Sequence, residues 1–235
     1  MLLSIIIPSY NEEHTIAPLL EKVKASVLPD GLDKEIIVVN DGSKDRTSQV
    51  LEPFVRQGVK VFHQANAGKT AALMRGIKEC AGDIILIQDA DLEYDPAQYP
   101  LLLTPILNKE AQVVYGSRFL GVIEGMEPVN RFANVISNRT FSLLWGTRMT
   151  DINTCYKVFT REAFEGIDIV SSNFAFETEV TVKFLQKGLA IKEVPIHYVA
   201  RSRGQGKKIR WSTAMEMYWP IIKYRFSPNT NQRLA

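Results

Sequence analysis

Residues 83–95 read Asp-Ile-Ile-Leu-Ile-Gln-Asp-Ala-Asp-Leu-Glu-Tyr-Asp, and the predicted fold follows from this segment. The four apolar residues from Ile84 to Ile87 are typical of a strand buried on both faces of a parallel sheet. Carboxylates follow at 89, 91, 93 and 95, and in an extended backbone they would point to one side. Clustered carboxylates repel one another unless a cation lies among them, and their hard oxygens suit Mg²⁺ or Mn²⁺. The alternative is a solvated acidic loop in which Asp95 caps a helix at Pro96.

The first half of the chain repeats this pattern of a short apolar strand followed by a helix. Strands are predicted at 4–8, 35–39, 59–62 and 83–87, and helices at 12–26, 46–56 and 69–80. The alternation predicts a doubly wound, Rossmann-like α/β fold with a mostly parallel central sheet flanked by helices. Ligands of such folds bind beyond the carboxyl ends of the strands. The candidate binding residues therefore lie in segments 8–12, 40–43, 64–69 and 88–95.

The second half is less regular. It predicts strands at 112–115, 156–159 and 190–194 and helices at 129–145 and 176–186, and three prolines (96, 100 and 105) predict a short or broken helix after Asp95. There is no repeat and no evident linker. We expect one α/β domain over residues 1–200, followed over residues 201–235 by a basic loop and a C-terminal amphipathic helix.

Composition excludes several classes of protein. The 235 residues are 46% hydrophobic and 23% charged, which is typical of a globular chain. The net charge of +2 does not favour a nucleic-acid partner. Two cysteines, Cys80 and Cys155, cannot build a disulfide framework and favour a reducing compartment. We expect no signal peptide after Met1, and no apolar run approaches the roughly 18 residues that span a bilayer.

A glycine-containing turn precedes the third predicted helix. Gly68-Lys69-Thr70 resembles the end of a phosphate-binding loop, but His63 stands where that motif requires its first glycine. We therefore do not expect a P-loop nucleotidase. Lys69 can still meet a phosphate at the helix N-terminus, or it can be a solvated lysine after a turn glycine.

Basic and amide side chains form two further features. Arg131, Asn134 and Asn138 recur at helical spacing, and the simplest interpretation is the wet side of an amphipathic helix. The second feature is a run of five cations without an acid, which predicts either a phosphate-binding loop or a solvated tail: Arg201, Arg203, Lys207, Lys208 and Arg210.

An aromatic-rich helical pattern ends the chain. Six apolar residues fall on one helical face: Trp211, Met215, Tyr218, Trp219, Ile222 and Phe226. Such a face suits a helix that lies in a membrane interface. It equally suits a terminal helix that packs on the domain or on a partner subunit, and the pattern does not separate the two.

Four strand-end motifs, taken in order, resemble those of the family 2 glycosyltransferases, which have the GT-A fold. They are Pro8-Ser9-Tyr10-Asn11-Glu12-Glu13, Asn40-Asp41-Gly42-Ser43, Asn66-Ala67-Gly68-Lys69 and Asp89-Ala90-Asp91. The resemblance spans about residues 4–210. It implies a metal-dependent enzyme that uses a nucleotide diphosphate sugar. Asn40 departs from the more usual Asp-Asp pair, which leaves Asp41 alone to bond the base.

The resemblance also implies roles for individual residues. Mg²⁺ or Mn²⁺ would be held by Asp89, Asp91 and Glu93, with Asp91 also counted as catalytic. The nucleotide sugar would be held by Pro8, Tyr10, Glu12, Asp41, Lys69, Asp89, Ala90, Asp91, Arg201 and Lys207.

The second half is similar to dolichyl-phosphate and polyprenyl-phosphate hexose synthases. The matching features are Gly116-Ser117-Arg118-Phe119, Asp151 with Cys155-Tyr156-Lys157, Phe176-Glu177-Thr178-Glu179, and Arg201-x-x-Gly204-x-Gly206-Lys207. This similarity implies that Arg118 and Arg131 are catalytic residues that receive an acceptor phosphate, and that Arg201 and Lys207 close over the diphosphate. Cys155 stands where glycine is common, and Gly206 stands where serine is common.

The implied reaction transfers a hexose, with mannose favoured, to a polyprenyl or dolichyl monophosphate with inversion. The donor would be GDP-mannose or UDP-glucose, and the enzyme would be peripheral on the cytoplasmic face of a membrane. The main alternative is a family 2 enzyme with a saccharide or other hydroxyl acceptor, for which Asp151, Glu177 or Glu179 would supply the base. An alternative of another class is a non-catalytic relative that binds nucleotide sugars. The sequence leaves the oligomeric state open.

Overall fold

The computed structural model describes residues 1–172, 175–201 and 220–226. The strands are β1 (Leu2–Ser9), β2 (Asp33–Asp41), β3 (Lys60–Gln64), β4 (Ile84–Ile87), β5 (Val113–Glu124), β6 (Lys157–Thr160) and β7 (Ile191–Val199). The helices are α1 (Ile16–Ala25), α2 (Thr47–Val55), α3 (Lys69–Glu79), α4 (Tyr99–Leu107), α5 (Pro128–Trp145), α6 (Arg161–Phe164) and α7 (Phe176–Gln186), with a 3₁₀ turn at Pro96–Gln98. Residues 220–226 are also helical.

Seven strands of the described chain form one sheet in the order β3-β2-β1-β4-β6-β5-β7. Strands β1 to β4 are mutually parallel where they pair, while β6 runs antiparallel to both β4 and β5. From β1 the chain moves outward to β2 and β3 and then returns to β4 on the other side of β1. The strand order therefore reverses between β1 and β4, and ligands of doubly wound sheets bind at the carboxyl ends of such a pair. The mostly parallel sheet agrees with the prediction.

The first helix begins later than the sequence pattern predicts. It starts at Ile16 rather than at residue 12, because the loop before it is tied to the loop after β2. The amide of Glu12 donates to Thr47 Oγ1 at 2.9 Å, and the amide of Glu13 donates to Asp45 at 3.1 Å. Asn11 adopts a left-handed φ of 53°. Residues 11–15 form a turn instead, in which the amides of Thr15 and Ile16 both donate to the carbonyl oxygen of Glu12, at 3.1 and 3.0 Å.

The acidic segment after β4 is not extended along its whole length. Asp95 is exposed, and its Oδ1 accepts a hydrogen bond from the amide of Ala97 at 3.2 Å, as an N-cap does. The expectation that all four carboxylates point to one side is therefore wrong for Asp95. Asp89, Asp91 and Glu93 do turn toward a common cavity. Helix α4 is short and contains Pro105, as the prolines predict.

Strands β5 and β7 extend further than predicted and pair with each other in parallel. Their register shifts between Ser117 and Val122, which produces an irregularity just beyond Arg118. Only glycine at position 121 allows the backbones of β5 and β7 to lie this close together, because a Cβ atom there would lie 2.0 Å from the carbonyl oxygen of Ile196. The extension carries Tyr198 and residue 201 to the same end of the sheet as the loop after β4.

The described part of the C-terminal helix packs on the domain. Ile221 is fully buried, and its carbonyl oxygen accepts a hydrogen bond from Trp145 Nε1 at 3.2 Å. Ile222 and Phe226, on the face predicted for a membrane interface, are exposed. Residues 211–219 of that predicted helix lie outside the described residues. No helix in the described ranges has the length and apolar character to cross a membrane. The domain boundary near residue 200 stays a prediction.

Candidate functional site

A cavity of about 450 Å³ opens at the carboxyl ends of β1, β2 and β4. The loops after β1 to β4 contribute to its wall, together with residues from β5, β7 and the start of α7. Nearly all of the predicted nucleotide-sugar and metal residues line it: Pro8, Tyr10, Glu12, Asp41, Lys69, Asp89, Ala90, Asp91, Glu93 and Arg201. Arg118 also lines it, whereas Arg131 is exposed and does not. Lys207 lies outside the described residues.

Asp41 is a buried carboxylate that holds the loop after β3. Its Oδ1 accepts from the amide of Ala67 at 2.9 Å and from Gln64 at 2.7 Å, and its Oδ2 accepts from the amide of Gly68 at 2.9 Å. A Cβ atom on Gly42 would lie 2.6 Å from the amide nitrogen of Asn66, so only glycine allows the two loops to meet. Asp41 thus positions the loop that leads into α3, and its role toward a base stays a prediction.

Asn40 has partners of its own, which accounts for an amide at this position. Its Nδ2 donates to Ser48 Oγ at 2.7 Å and lies 3.2 Å from His63 Nδ1, while its Oδ1 accepts from the amide of Ser43 at 3.1 Å. An ionised aspartate has no hydrogen to donate to Ser48. The amide therefore links β2 to both α2 and β3.

Lys69 is the first residue of α3, and two carboxylates share its ammonium group. Its Nζ lies 2.6 Å from Asp89 Oδ1 and 2.7 Å from Glu177 Oε1. Burial opposes the charge, but Asp89 and Glu177 raise the pKa of Lys69 well above its usual value. Lys69 is therefore a charged lysine in the cavity wall, and the solvated-lysine interpretation is wrong.

Arg201 is a second cation of the cavity wall, and it lies among three carboxylates. Its Nη2 is 2.8 Å from Asp91 Oδ2, its Nη1 is 3.3 Å from Glu12 Oε2, and its Nε is 3.8 Å from Glu93 Oε1. Although burial opposes the charge, Asp91, Glu12 and Glu93 raise the pKa of Arg201. Glu93 also accepts hydrogen bonds from Tyr198 Oη and from the amide of Arg201, both at 2.8 Å. These bonds join the loop after β4 to the end of β7.

The charge of the cavity wall suits a bound cation. Among the described lining residues, six carboxylates face three cations: Glu12, Asp41, Asp89, Asp91, Glu93 and Glu177 against Lys69, Arg118 and Arg201. Burial, together with Asp89 and Glu93, raises the pKa of Asp91 to about 7, although Arg201 opposes this shift. Hard carboxylate oxygens in this setting fit Mg²⁺ or Mn²⁺.

The three predicted metal ligands are not yet gathered around one point. Within the described ranges, no three His, Cys, Asp or Glu side chains form a group that could already hold a metal ion. Asp89 is turned to Lys69, while Asp91 and Glu93 are turned to Arg201. The donor chemistry therefore fits a divalent metal, and the assignment of Asp89, Asp91 and Glu93 as ligands stays a prediction.

Arg118 is held rigidly by Asp151, a partner 33 residues away in sequence. Its Nε and Nη2 each lie 2.7 Å from one oxygen of the Asp151 carboxylate, which is a bidentate pair with both side chains buried. The amide of Asp151 is in turn held by Glu193 at 2.8 Å. Burial opposes the charge on Arg118, but Asp151 raises its pKa well above the usual value. Arg118 is therefore a fixed cation in the cavity wall.

Two asparagines of α5 contact Arg118 or the loop that carries its partner Asp151. Asn134 Oδ1 lies 3.4 Å from Arg118 Nη2, and Asn138 is buried, where its Oδ1 accepts from the amide of Ile152 at 3.1 Å. The interpretation of these asparagines as the wet side of an amphipathic helix is therefore wrong, because they hold the loop that carries Asp151. Arg131 is exposed, and its role toward an acceptor phosphate stays a prediction.

The three candidate bases occupy different environments. Asp151 is committed to Arg118 and does not line the cavity. Glu179 also lies outside it, and accepts from the amide of Ser171 at 2.7 Å. Glu177 lines the cavity, and its buried Oε2 has no hydrogen-bond partner among the described residues. Of the three, Glu177 alone lines the cavity and has a carboxylate oxygen without a partner among the described residues.

The sequence predicted no role for several buried polar residues near the site. Tyr94 and Tyr198 line the cavity, and their rings meet edge to face at 5.1 Å. Lys157 is fully buried, with its Nζ 2.9 Å from the carbonyl oxygen of Ile152 and 3.6 Å from the centre of the Tyr115 ring. Burial lowers the pKa of Lys157 to about 7.

Cys80 and Cys155 are both buried and unpaired, so neither forms a disulfide.

The chain is similar to curated transferases over most of its length. It is 30% identical to the dolichol-phosphate mannosyltransferase of Pyrococcus furiosus, over 88% of this chain and 59% of that protein. It is 27% identical to an undecaprenyl-phosphate 4-deoxy-4-formamido-L-arabinose transferase of Pseudomonas fluorescens, over 87% of this chain and 59% of that protein. The chain thus spans about three fifths of the length of either relative.

The fold is that of known GT-A glycosyltransferases, as predicted. A crystal structure of glucosyl-3-phosphoglycerate synthase from Mycobacterium tuberculosis, in complex with Mn²⁺, uridine diphosphate and glucosyl-3-phosphoglycerate, matches with a TM-score of 0.74. The match covers 97% of this chain and 81% of that one, at 21% identity. Residues 4–168, which are more than half of the chain, match the family described as Glycosyl transferase family 2. The resemblance drawn from the four strand-end motifs is confirmed, and this chain belongs to Glycosyl transferase family 2.

Proposed function

We propose that this glycosyltransferase moves a hexose from a nucleotide diphosphate sugar to a polyprenyl monophosphate, with inversion at the anomeric carbon. The observation that carries the proposal is Arg118, a buried guanidinium fixed by Asp151 in the wall of a cavity that has more carboxylates than cations. A fixed cation beside a sugar-nucleotide site suits an anionic acceptor. The names of two curated relatives, a dolichol-phosphate and an undecaprenyl-phosphate transferase, support the same acceptor class.

In this proposal the nucleotide lies on the loops after β1, β2 and β3. Pro8, Tyr10 and Glu12 contact the base and ribose, while Asp41 bonds the base and holds the loop of Ala67 and Gly68. Neither GDP-mannose nor UDP-glucose is favoured by these contacts. The preference for mannose depends on the resemblance and on the mannosyltransferase relative.

The diphosphate would lie between the acidic segment and the cations of the cavity wall. Asp91, with Asp89 and Glu93 beside it, would hold Mg²⁺ or Mn²⁺, and such an ion would neutralise charge that develops on the leaving diphosphate. Lys69 and Arg201 already face these carboxylates and would turn to the diphosphate oxygens. Lys207, outside the described residues, is proposed to act beside Arg201.

The acceptor phosphate is an anion at neutral pH and needs no strong base to become a nucleophile. Arg118 would hold it in line with the anomeric carbon, and Arg131 would contribute from the exposed side of α5. Positioning of this kind lowers the barrier by removing the freedom of the two reactants before they meet.

A second candidate function is transfer to a hydroxyl acceptor, and one observation favours it. Glu177 lines the cavity, and its Oε2 has no hydrogen-bond partner among the described residues, so this carboxylate would serve as the general base. In that case Glu177 would remove the proton of the attacking hydroxyl, while Asp151 and Glu179 would remain structural.

One experiment separates these functions. The protein is incubated with radiolabelled GDP-mannose and UDP-glucose in turn, with Mn²⁺ and either polyprenyl phosphate or a panel of saccharides, and the products are extracted into organic solvent. Labelled, acid-labile lipid from one donor is the expected result. Label in saccharide with none in lipid would overturn the polyprenyl acceptor and support Glu177 as a base.

We also propose that the enzyme is peripheral on the cytoplasmic face of a membrane, where a lipid-linked acceptor would be found. Two buried, unpaired cysteines suit a reducing compartment.

A further inference from the structure

Helix α5 presents an exposed apolar stripe to its surroundings. Val129, Phe132, Ile136 and Leu143 recur at helical spacing, so they lie on one side of the helix. Phe132 is 68% exposed and Leu143 is 84% exposed, which is unusual for large apolar side chains on a well-packed domain. The inner side of the same helix carries Asn138 and Phe141, which are buried. The stripe therefore has no role in the core.

The charged side chains of α5 and of the loop after it are arginines, and the helix is preceded by its N-cap residue Glu127. Residues 128–150 contain Arg131, Arg139 and Arg148 and no aspartate, glutamate or lysine. All three arginines are exposed. A helix with exposed apolar side chains, flanking cations and no acids is complementary to an apolar layer beneath an anionic surface.

A second cavity, of about 360 Å³, lies beside the stripe. It is an open groove. Its lining includes Phe119 from β5, Val135 and Arg139 from α5, and Arg148 and Met149 from the loop that follows. Its inner surface is apolar, and its two arginines are exposed at the surface. Such a pocket can take an acyl or isoprenyl segment, with the attached phosphate bound by a guanidinium group.

This cavity is next to the main one along β5. Arg118 lines the main cavity, and the following residue, Phe119, lines the second. Beyond the end of α5, Ile222 and Phe226 are also exposed, on the helical segment that Trp145 contacts. Exposed apolar side chains thus lie both on α5 and on the C-terminal helical segment.

We propose that this face, defined by the stripe of α5 and by Arg139 and Arg148, docks on an anionic phospholipid bilayer. The apolar side chains enter the interface, and the two arginines bind lipid phosphates. This inference rests on the proposed function, because a lipid-linked acceptor must be reached at a membrane. It adds that α5, rather than the C-terminal helix alone, makes the contact. Docking here would present the phosphate of a bilayer lipid close to Arg118.

Vesicle flotation of the full chain tests the proposal. The vesicles are pure phosphatidylcholine or phosphatidylcholine with phosphatidylglycerol at about one part in three. We expect binding to the anionic vesicles, and a fall of roughly tenfold or more in the partition coefficient for Phe132→Asp and for Leu143→Asp, because each replaces an apolar side chain that would enter the interface by a charged one. Arg139→Glu and Arg148→Glu should each weaken binding to the anionic vesicles by about fivefold or more.

Matched controls come from other surfaces of the chain. Leu101 is 52% exposed on α4, so Leu101→Asp introduces the same charge on a different helix and should not change flotation. Arg56→Glu, at an exposed position after α2, controls for net charge. Thermal melting shows whether each variant is folded.

Three results would overturn the inference: no flotation of the wild type, equal loss with Leu101→Asp, or unchanged flotation of Phe132→Asp and Leu143→Asp. Loss of a concentration-dependent dimer in these two variants, without wild-type flotation, would assign the face to a second copy of the chain instead. An assay of polyprenyl phosphate glycosylation distinguishes failure of this inference from failure of the proposed function. If vesicles are bound but no polyprenyl phosphate is glycosylated, the acceptor is wrong and the docking face stands.

Discussion

Glu177 distinguishes the two possible acceptors, and Glu177→Gln is the change that tests it. Glu177 is the second residue of α7. Its Oε1 lies 2.7 Å from Lys69 Nζ, while its Oε2 is buried without a partner among the described residues. Glutamine has nearly the same shape and keeps an oxygen for Lys69. It removes the negative charge and the capacity to accept a proton.

The expected size of the effect depends on the acceptor. With a phosphate acceptor no base is needed, so the loss comes from replacing one charge-assisted contact to Lys69 by a neutral one. That difference is about 1 kcal/mol, or roughly fivefold in kcat/KM. Lys69 stays protonated, because Asp89 remains 2.6 Å away. With a hydroxyl acceptor, loss of a general base costs about 10²–10⁴ in kcat.

The assay is an initial-rate measurement with polyprenyl phosphate and the donor found to be active, at several pH values. Glu179→Gln is the matched control, since it alters a buried glutamate of the same helix that does not line the cavity. Its effect should appear in the melting temperature more than in kcat. A fall in kcat of more than a hundredfold for Glu177→Gln, with a melting temperature near that of the wild type, would refute the argument that the acceptor needs no base.

Further predictions concern the metal, the acceptor and a buried lysine. Asp91→Asn should lower kcat/KM by about a thousandfold, because several kcal/mol of charge stabilisation are lost, and wild-type activity that survives excess EDTA would contradict this. Arg131→Ala should raise KM for the phosphate acceptor by about tenfold without changing KM for the donor, whereas Arg56→Ala should change neither. Lys157 has a folded pKa of about 7, below its value in the unfolded chain, so the unfolded state binds more protons above pH 7. Urea unfolding of wild type and Lys157→Met should therefore show the wild type gaining about 1 kcal/mol per pH unit over the variant between pH 7.5 and 9.5, and a pH-independent difference would disprove this.

The sequence was sufficient to place the site because the fold is mostly parallel. Motifs at the ends of β1, β2, β3 and β4 are far apart in the chain, yet the carboxyl ends of parallel strands meet at one edge of the sheet. The sequence alone therefore places Asp89, Asp91 and Lys69 at one edge of the sheet. Local patterns also predicted α7 with its observed bounds.

What the sequence did not predict depends on long-range partners. Arg118 and Asp151 are 33 residues apart, and no periodicity connects them. Asn138 has the polar character of a surface residue, and only the loop that carries Asp151 makes it buried. Likewise, nothing local in the short segment after Tyr156 shows that β6 runs antiparallel between β4 and β5.

The partners of the three cavity cations divide them into one fixed cation and two that can change partners. Arg118 is paired with Asp151, which does not line the cavity, so a ligand cannot compete for that carboxylate. Lys69 and Arg201 are paired with carboxylates that do line it, notably Asp89 and Asp91. A buried charge without compensation is costly, so these pairs keep the ligand-free site folded. A diphosphate offers the same cations new oxygen partners, whereas Arg118 keeps its position throughout. The fixed arginine therefore suits the role of aligning a nucleophile, and the two exchangeable cations suit the binding of the leaving group.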